Sequence, residues 1–260
     1  SPPQWAVAKR SIALLDGIVP YVLCPGNHDM IGSEGALRHS DTLLDRYFPS
    51  DRFAALAGTF AEGEISNSYH LFELAGEDYL VISLEFGPRD EVLEWANQIV
   101  ATYPHHKVIV ITHAYTARSG QRVTTYTSSA SPHAYPVAKL TSVNDGEEMW
   151  GKFIRRHGNM LMVLSGHIGV AALPRNMAVG EKGNTVYEIL ADYQFEPMGG
   201  EGTLVLLDIT PAEQIVVRAY SPYLGEHKHG WDSYGFNNSF VIDLENERLR
   251  MCLDPEACGQ

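Results

Sequence analysis

Ile18-Val19-Pro20-Tyr21-Val22-Leu23-Cys24-Pro25-Gly26-Asn27-His28-Asp29 is an apolar run that stops at Pro-Gly and then presents an amide, an imidazole and a carboxylate from one tight turn. A neutral oxygen, a nitrogen and a carboxylate at one sheet edge are metal-site chemistry. Two further segments repeat the layout. Lys107-Val108-Ile109-Val110-Ile111-Thr112-His113 and Leu161-Met162-Val163-Leu164-Ser165-Gly166-His167 each read as an apolar strand ending in His. Ligands of open α/β sheets bind beyond the carboxyl ends of the strands, so Asn27, His113 and His167 are placed to converge although distant in sequence. Taken singly, each histidine reads more simply as a buried imidazole bonded to backbone. The three segments together reverse that preference.

Around these segments the chain alternates strand and helix. Gln4 to Leu15 carries Trp5, Ala8, Ile12 and Leu15 at helical spacing, with Gly17 as a stop. A strand is expected over Val19 to Leu23. Tyr69 to Leu74 and Tyr79 to Phe86 read as a strand pair across residues 75–78, and Pro88 to Thr102 as a helix with Val92, Trp95, Ala96, Ile99 and Val100 inward. Ala114 to Asn144 shows no clear period. It holds Arg118, Arg122, Tyr126, His133 and Tyr135, and a stretch of that length is expected to cover the site. Asp145 can cap a helix over Glu147 to Arg156. After Gly169 the texture changes to strands at Thr185 to Leu190, Thr203 to Ile209, Gln214 to Tyr220 and Ser239 to Leu244. Asp192 and Tyr193 read as the start of a turn, and His227 and His229 as a solvated loop tip.

Composition sets bounds on function. At 260 residues with 45% hydrophobic content the chain can bury a sizeable core. A formal net charge of −13 opposes sequence-independent attraction to nucleic acid or to anionic membrane. No apolar run approaches the roughly 20 residues that span a bilayer. Cys24 reads as a small buried hydrophobe. Cys252 and Cys258 bracket a short segment, a spacing that could close a disulfide loop if the protein is exported and that leaves the pairing open; the location is unknown from the sequence, with a periplasmic or secreted one favoured over a cytoplasmic one.

Gly26-Asn27-His28-Asp29, His113 closing its strand, and Gly166-His167-Ile168-Gly169 resemble, in order and context, the later motifs of the calcineurin-like metallophosphoesterases, the superfamily that includes purple acid phosphatases. The resemblance implies an α/β fold, a two-sheet sandwich with helices on the outer faces and a C-terminal β extension. It divides the chain into a core over 1–200 and an extension over 201–260 packed on it. By the same resemblance Asn27, His113 and His167 fall on ligands of the family's second metal, a divalent transition ion such as Zn, Mn, Fe or Ni. His28 falls on the residue that contacts the substrate phosphate and protonates the leaving group. Asp29 is expected to orient its neighbours or cap the turn.

The family's opening D-x-H and G-D motifs have no counterpart from Ser1 onward, and Gly169 stands where the family often has a further ligand of the first metal. The N-terminal βαβ portion is therefore expected to be absent, and one ion at most to be held. A strand at Val19 to Leu23 without its central neighbour would leave an open edge, for which a second copy of the chain is the simpler cover. The function implied is metal-dependent hydrolysis of phosphate mono- or diesters on a small-molecule substrate, or of other esters if the site is repurposed. The alternative is a non-catalytic binding or structural protein on a decayed scaffold. Imidazoles kept at two strand ends speak against complete decay.

Overall fold

The aliphatic runs at 107–111 and 160–165 become neighbouring parallel strands, as expected of sequence buried on both faces of a sheet. The computed structural model describes residues 2–30, 42–126 and 129–258. In chain order the elements are helices α1 (Pro2–Ile12) and α2 (Leu44–Tyr47), strands β1 (Leu56–Thr59), β2 (Ser68–Leu74) and β3 (Glu77–Ser83), helix α3 (Asp90–Thr102), strand β4 (Lys107–Ile111) and helix α4 (Gly146–Lys152). Strands β5 (Met160–Ser165), β6 (Arg175–Val179), β7 (Thr185–Leu190), β8 (Leu204–Thr210), β9 (Gln214–Ser221), β10 (Glu226–His227), β11 (Ser239–Asp243) and β12 (Arg248–Met251) follow.

Seven strands form one sheet in the order β1-β2-β3-β4-β5-β7-β6, and five form a second around β9. β3, β4, β5 and β7 run parallel, with Ser83 beside Ile111, Ile111 beside Leu164, and Ser165 beside Leu190. That register brings four strands to their carboxyl ends at one level, the place where an open α/β sheet builds its site.

Each face of the seven-stranded sheet is covered differently. Val92, Leu93, Ala96 and Val100 of α3 and Met149 and Trp150 of α4 pack on Leu80, Ile82, Val108, Val110 and Val163. On the other face, Met162, Tyr187 and Ile189 meet Ile215, Val217, Phe240 and Ile242 of the second sheet. The result is the expected two-sheet α/β sandwich, but α3 and α4 cover only the outer face of the seven-stranded sheet, while Val216 and Val241 on the second sheet pack against the C-terminal cysteines. Cys252 and Cys258 are joined in a disulfide beside Val216 and Val241. Among the described residues no helix is long and apolar enough to cross a membrane.

The expected strand at Val19 to Leu23 is not one. Among the described residues, 20–25 have no assigned secondary structure and form no backbone ladder. Both edges of β3 are already taken by β2 and β4, and Pro20 removes a ladder donor. Side chains tie the segment down instead: the Ser83 hydroxyl donates to the Leu23 carbonyl (2.8 Å) and the Cys24 thiol to that of Leu84 (3.2 Å). The open central edge inferred from a strand there is therefore not a sheet edge among the described residues. The helix expected over Glu147 to Arg156 stops at Lys152 and continues as a 3-10 turn at Ile154–Arg156, while its cap is as expected, with Asp145 Oδ1 accepting from the Glu148 N–H (3.0 Å).

Candidate metal centre

β4 and β5 deliver the two histidines from adjacent positions. The pairing continues past the strand ends, with the Thr112 N–H donating to the Leu164 carbonyl (3.1 Å) and the Gly166 N–H to that of His113 (2.9 Å). His167 then turns sharply. The Ile168 N–H reaches back to the Gly166 carbonyl (2.8 Å), and His167 itself has φ of +71°. A non-glycine residue at the centre of such a left-handed three-residue turn carries strain of order 1–3 kcal/mol, which folds tolerate mainly where a side chain must be aimed.

The aim is shared. Asn27 Oδ1 lies 2.8 Å from His113 Nε2, and His113 Nε2 lies 3.1 Å from His167 Nδ1. The outer nitrogen of His167, Nε2, is 3.0 Å from the Ala130 carbonyl and 3.3 Å from the Tyr135 hydroxyl. A carbonyl can only accept, so Nε2 carries the proton and the lone pair of the neutral ring sits on Nδ1, facing the other two donors. Burial pushes the His113 imidazole down to about 3, helped by the charges of His167 and His28. Burial also lowers His167, opposed by its bond to Ala130 and by Asp192. Neutral imidazole is the form that binds a metal ion.

The neighbours explain how the cluster is held. A Cβ on Gly26 would stand 2.8–3.1 Å from three atoms of the His113 ring, so only glycine lets the ring lie against the turn. Phe86, fully buried, sets its ring 5.7 Å from His113, 5.4 Å from His167 and 5.0 Å from Tyr135, walling one side. Asp29 Oδ2 accepts from the Gly26 N–H (2.8 Å), and burial raises its carboxyl. Asn27 is buried at the base of the turn while His28 is exposed at its rim. Donor–metal distances of about 2.1 Å place donors at right angles roughly 3 Å apart, and the two spacings on either side of His113 Nε2 are of that size.

The covering segment is irregular, as expected, with 3-10 turns at Pro132–Ala134 and Pro136–Lys139; residues 127 and 128 lie outside the described residues. Two anchors fix it. Buried Glu188 on β7 accepts from the Tyr115 hydroxyl (2.7 Å), Arg122 Nε (2.7 Å) and Asn176 (2.9 Å), and the Arg122 guanidinium stacks 3.8 Å above the Trp150 ring. Elsewhere His133 Nε2 lies 2.6 Å from Glu148 Oε2 and 3.9 Å from Asp145 Oδ2, a donor set that could hold a cation. These carboxylates already bond each other's backbone N–H at the start of α4. Asp192 accepts from the Gln194 N–H (3.0 Å), the expected turn, and Tyr193 is buried on Asn238. Burial pushes the Cys24 thiol up to about 12, in keeping with an inert apolar role.

Sequence reasoning missed Phe86, the Ala130 carbonyl and the bond from Tyr135 to His167. Phe86 had a signal, since it ends the apolar run 79–86 that continues past β3 at the same sheet end as the histidines. The Ala130 carbonyl had none, because a backbone acceptor leaves no mark on residue type.

A family model described as calcineurin-like phosphoesterase matches residues 3–171, a span that ends just beyond Gly169. A curated protein of Bacillus subtilis (strain 168), "Uncharacterized protein YvnB", is 30% identical over 253 residues, covering 93% of this chain. The chain spans only 18% of that protein's length. The crystal structure of a 5'-nucleotidase precursor from Thermus thermophilus overlaps 61% of this chain and 27% of its own, with a TM-score of 0.30 at 13% identity. An overlap that slight carries no argument.

Proposed function

The chain belongs to the calcineurin-like phosphoesterase family, and from that premise we propose that Asn27, His113 and His167 hold a divalent transition metal at which a phosphate ester is hydrolysed, with His28 as the acid. The observation that supports this most is the meeting of Asn27 Oδ1, His113 Nε2 and His167 Nδ1 within 2.8 and 3.1 Å steps. When bound, such an ion supplies Lewis acidity to the phosphoryl group and to the attacking water.

The chain's own residues do the rest. Gly26 admits the His113 ring, Ala130 fixes the tautomer of His167, and Phe86 excludes water from one side of both imidazoles. His28, exposed beside Asn27, is free to meet a substrate and to give its proton to the leaving oxygen, the group whose departure limits esters with poor leaving groups. Position 169, a glycine, offers no side chain for a further ion, which favours one ion at these residues. Hydrolysis of bis(p-nitrophenyl) phosphate and of phosphate monoesters by the purified chain, with and without Zn, Mn, Fe or Ni after chelation, tests the reading. Turnover that returns with added metal supports it, and turnover unaffected by chelation refutes it.

A further inference from the structure

Gly169 is buried and directly underlies Phe195, because a Cβ at 169 would come within 2.2 Å of Phe195 Cδ2. The glycine is therefore what seats the Phe195 ring. That ring is 76% exposed, and Tyr234 is 58% exposed. Both line a cleft of about 470 Å³ that His167 also lines. Large aromatic faces kept in solvent beside a site are more often recognition surface than packing.

A cation occupies the same floor. Arg118 Nε donates to the Gly169 carbonyl (2.8 Å), and its side chain lines the cleft. Among the described residues no carboxylate forms a salt bridge with it, in a chain whose net charge is −13. An exposed guanidinium held by its Nε keeps its remaining N–H groups for an incoming anion, and the planar fork suits a phosphoryl group.

Resting on the proposed phosphoesterase reading, we infer that Arg118, Gly169, Phe195 and Tyr234 form a substrate subsite for phosphate esters that carry an aromatic or heteroaromatic substituent. Arg118 binds a phosphoryl oxygen, and the ring of the substituent lies on Phe195, with Tyr234 as the other wall. The cleft is within the size range of small-molecule sites. Glycine at 169 thus leaves the room in which the aromatic platform sits.

Calorimetric titration of the Zn-loaded chain with benzylphosphonate and ethylphosphonate, which are not hydrolysed, tests this. Benzylphosphonate should bind about tenfold more tightly, in line with the stacking of one ring. Phe195→Ala and Phe195→Leu should both abolish the preference while leaving ethylphosphonate affinity in place, the leucine variant guarding against a packing defect. Arg118→Ala should weaken both ligands about tenfold, with partial recovery in Arg118→Lys. Equal affinities in the native chain, no binding of either, or a preference that survives both Phe195 variants would overturn the subsite. Metal-dependent ester hydrolysis without ring preference refutes the subsite alone, whereas ring preference without hydrolysis of any ester refutes the phosphoesterase reading alone.

Discussion

His113 Nε2 and His167 Nδ1 stand 3.1 Å apart although 54 residues separate them, and the lone pair of His167 is turned inward because the Ala130 carbonyl takes the proton on its far nitrogen. Asn27 Oδ1 lies 2.8 Å from the same His113 nitrogen, so two acceptors face one position that has at most one ring proton to offer. The inward lone pair of His167 and the Asn27 oxygen are donor atoms of the kind a transition ion takes.

Replacing His28 should separate binding from chemistry. It lies at the rim and bonds none of the three inner donors, so His28→Ala should leave metal content unchanged. Turnover of alkyl phosphate esters should fall about 10²- to 10⁴-fold, with a far smaller loss for p-nitrophenyl esters that need no proton to leave. Steady-state kinetics on the two ester classes check this, and equal losses would remove the acid role.

The loop anchor should be a stability determinant. Arg122→Ala strips the fully buried Glu188 carboxylate of its cationic partner, for an expected cost of about 3–5 kcal/mol in urea denaturation. Adding Glu188→Gln should recover part of that loss, because the buried charge is then gone.

Stability should also fall in mild acid through His70. This residue is 1% exposed between Phe53 and Phe72, and burial lowers its imidazole from 6.5 to about 4. Between those values the unfolded chain binds the proton and the folded one does not, so the contribution present above pH 6.5 is lost as pH drops toward 4. The loss reaches up to ~3 kcal/mol at pH 4. His70→Phe should flatten that part of the stability curve, measured by denaturant melts from pH 7.5 to 4.5, and an unchanged slope would exclude His70 as its source.

Much of this was legible in the residues. The parallel strands β4 and β5 were plain because burial on both faces demands unbroken aliphatic runs, and their terminal histidines followed from the rule for sheet ends. Strands β1, β6 and β12 were not, since Leu56-Ala57-Gly58-Thr59, Arg175-Asn176-Met177-Ala178-Val179 and Arg248-Leu249-Arg250-Met251 lie near sheet edges, where packing on one side leaves little alternation. Val19 to Leu23 misled for the opposite reason. Its residues favour a strand, but ladder partners are a property of the whole sheet and cannot be read from the segment. The platform of Phe195 on Gly169 was likewise hidden, because an absent side chain records nothing about what fills its place.

Metal content of the purified chain and of His113→Ala, by elemental analysis after equilibration with Zn and removal of excess ion, tests the Asn27–His113–His167 centre most directly. The expected result is one ion per native chain and none in the variant, with circular dichroism showing the fold retained. Equal metal content in a folded His113→Ala variant would contradict the centre.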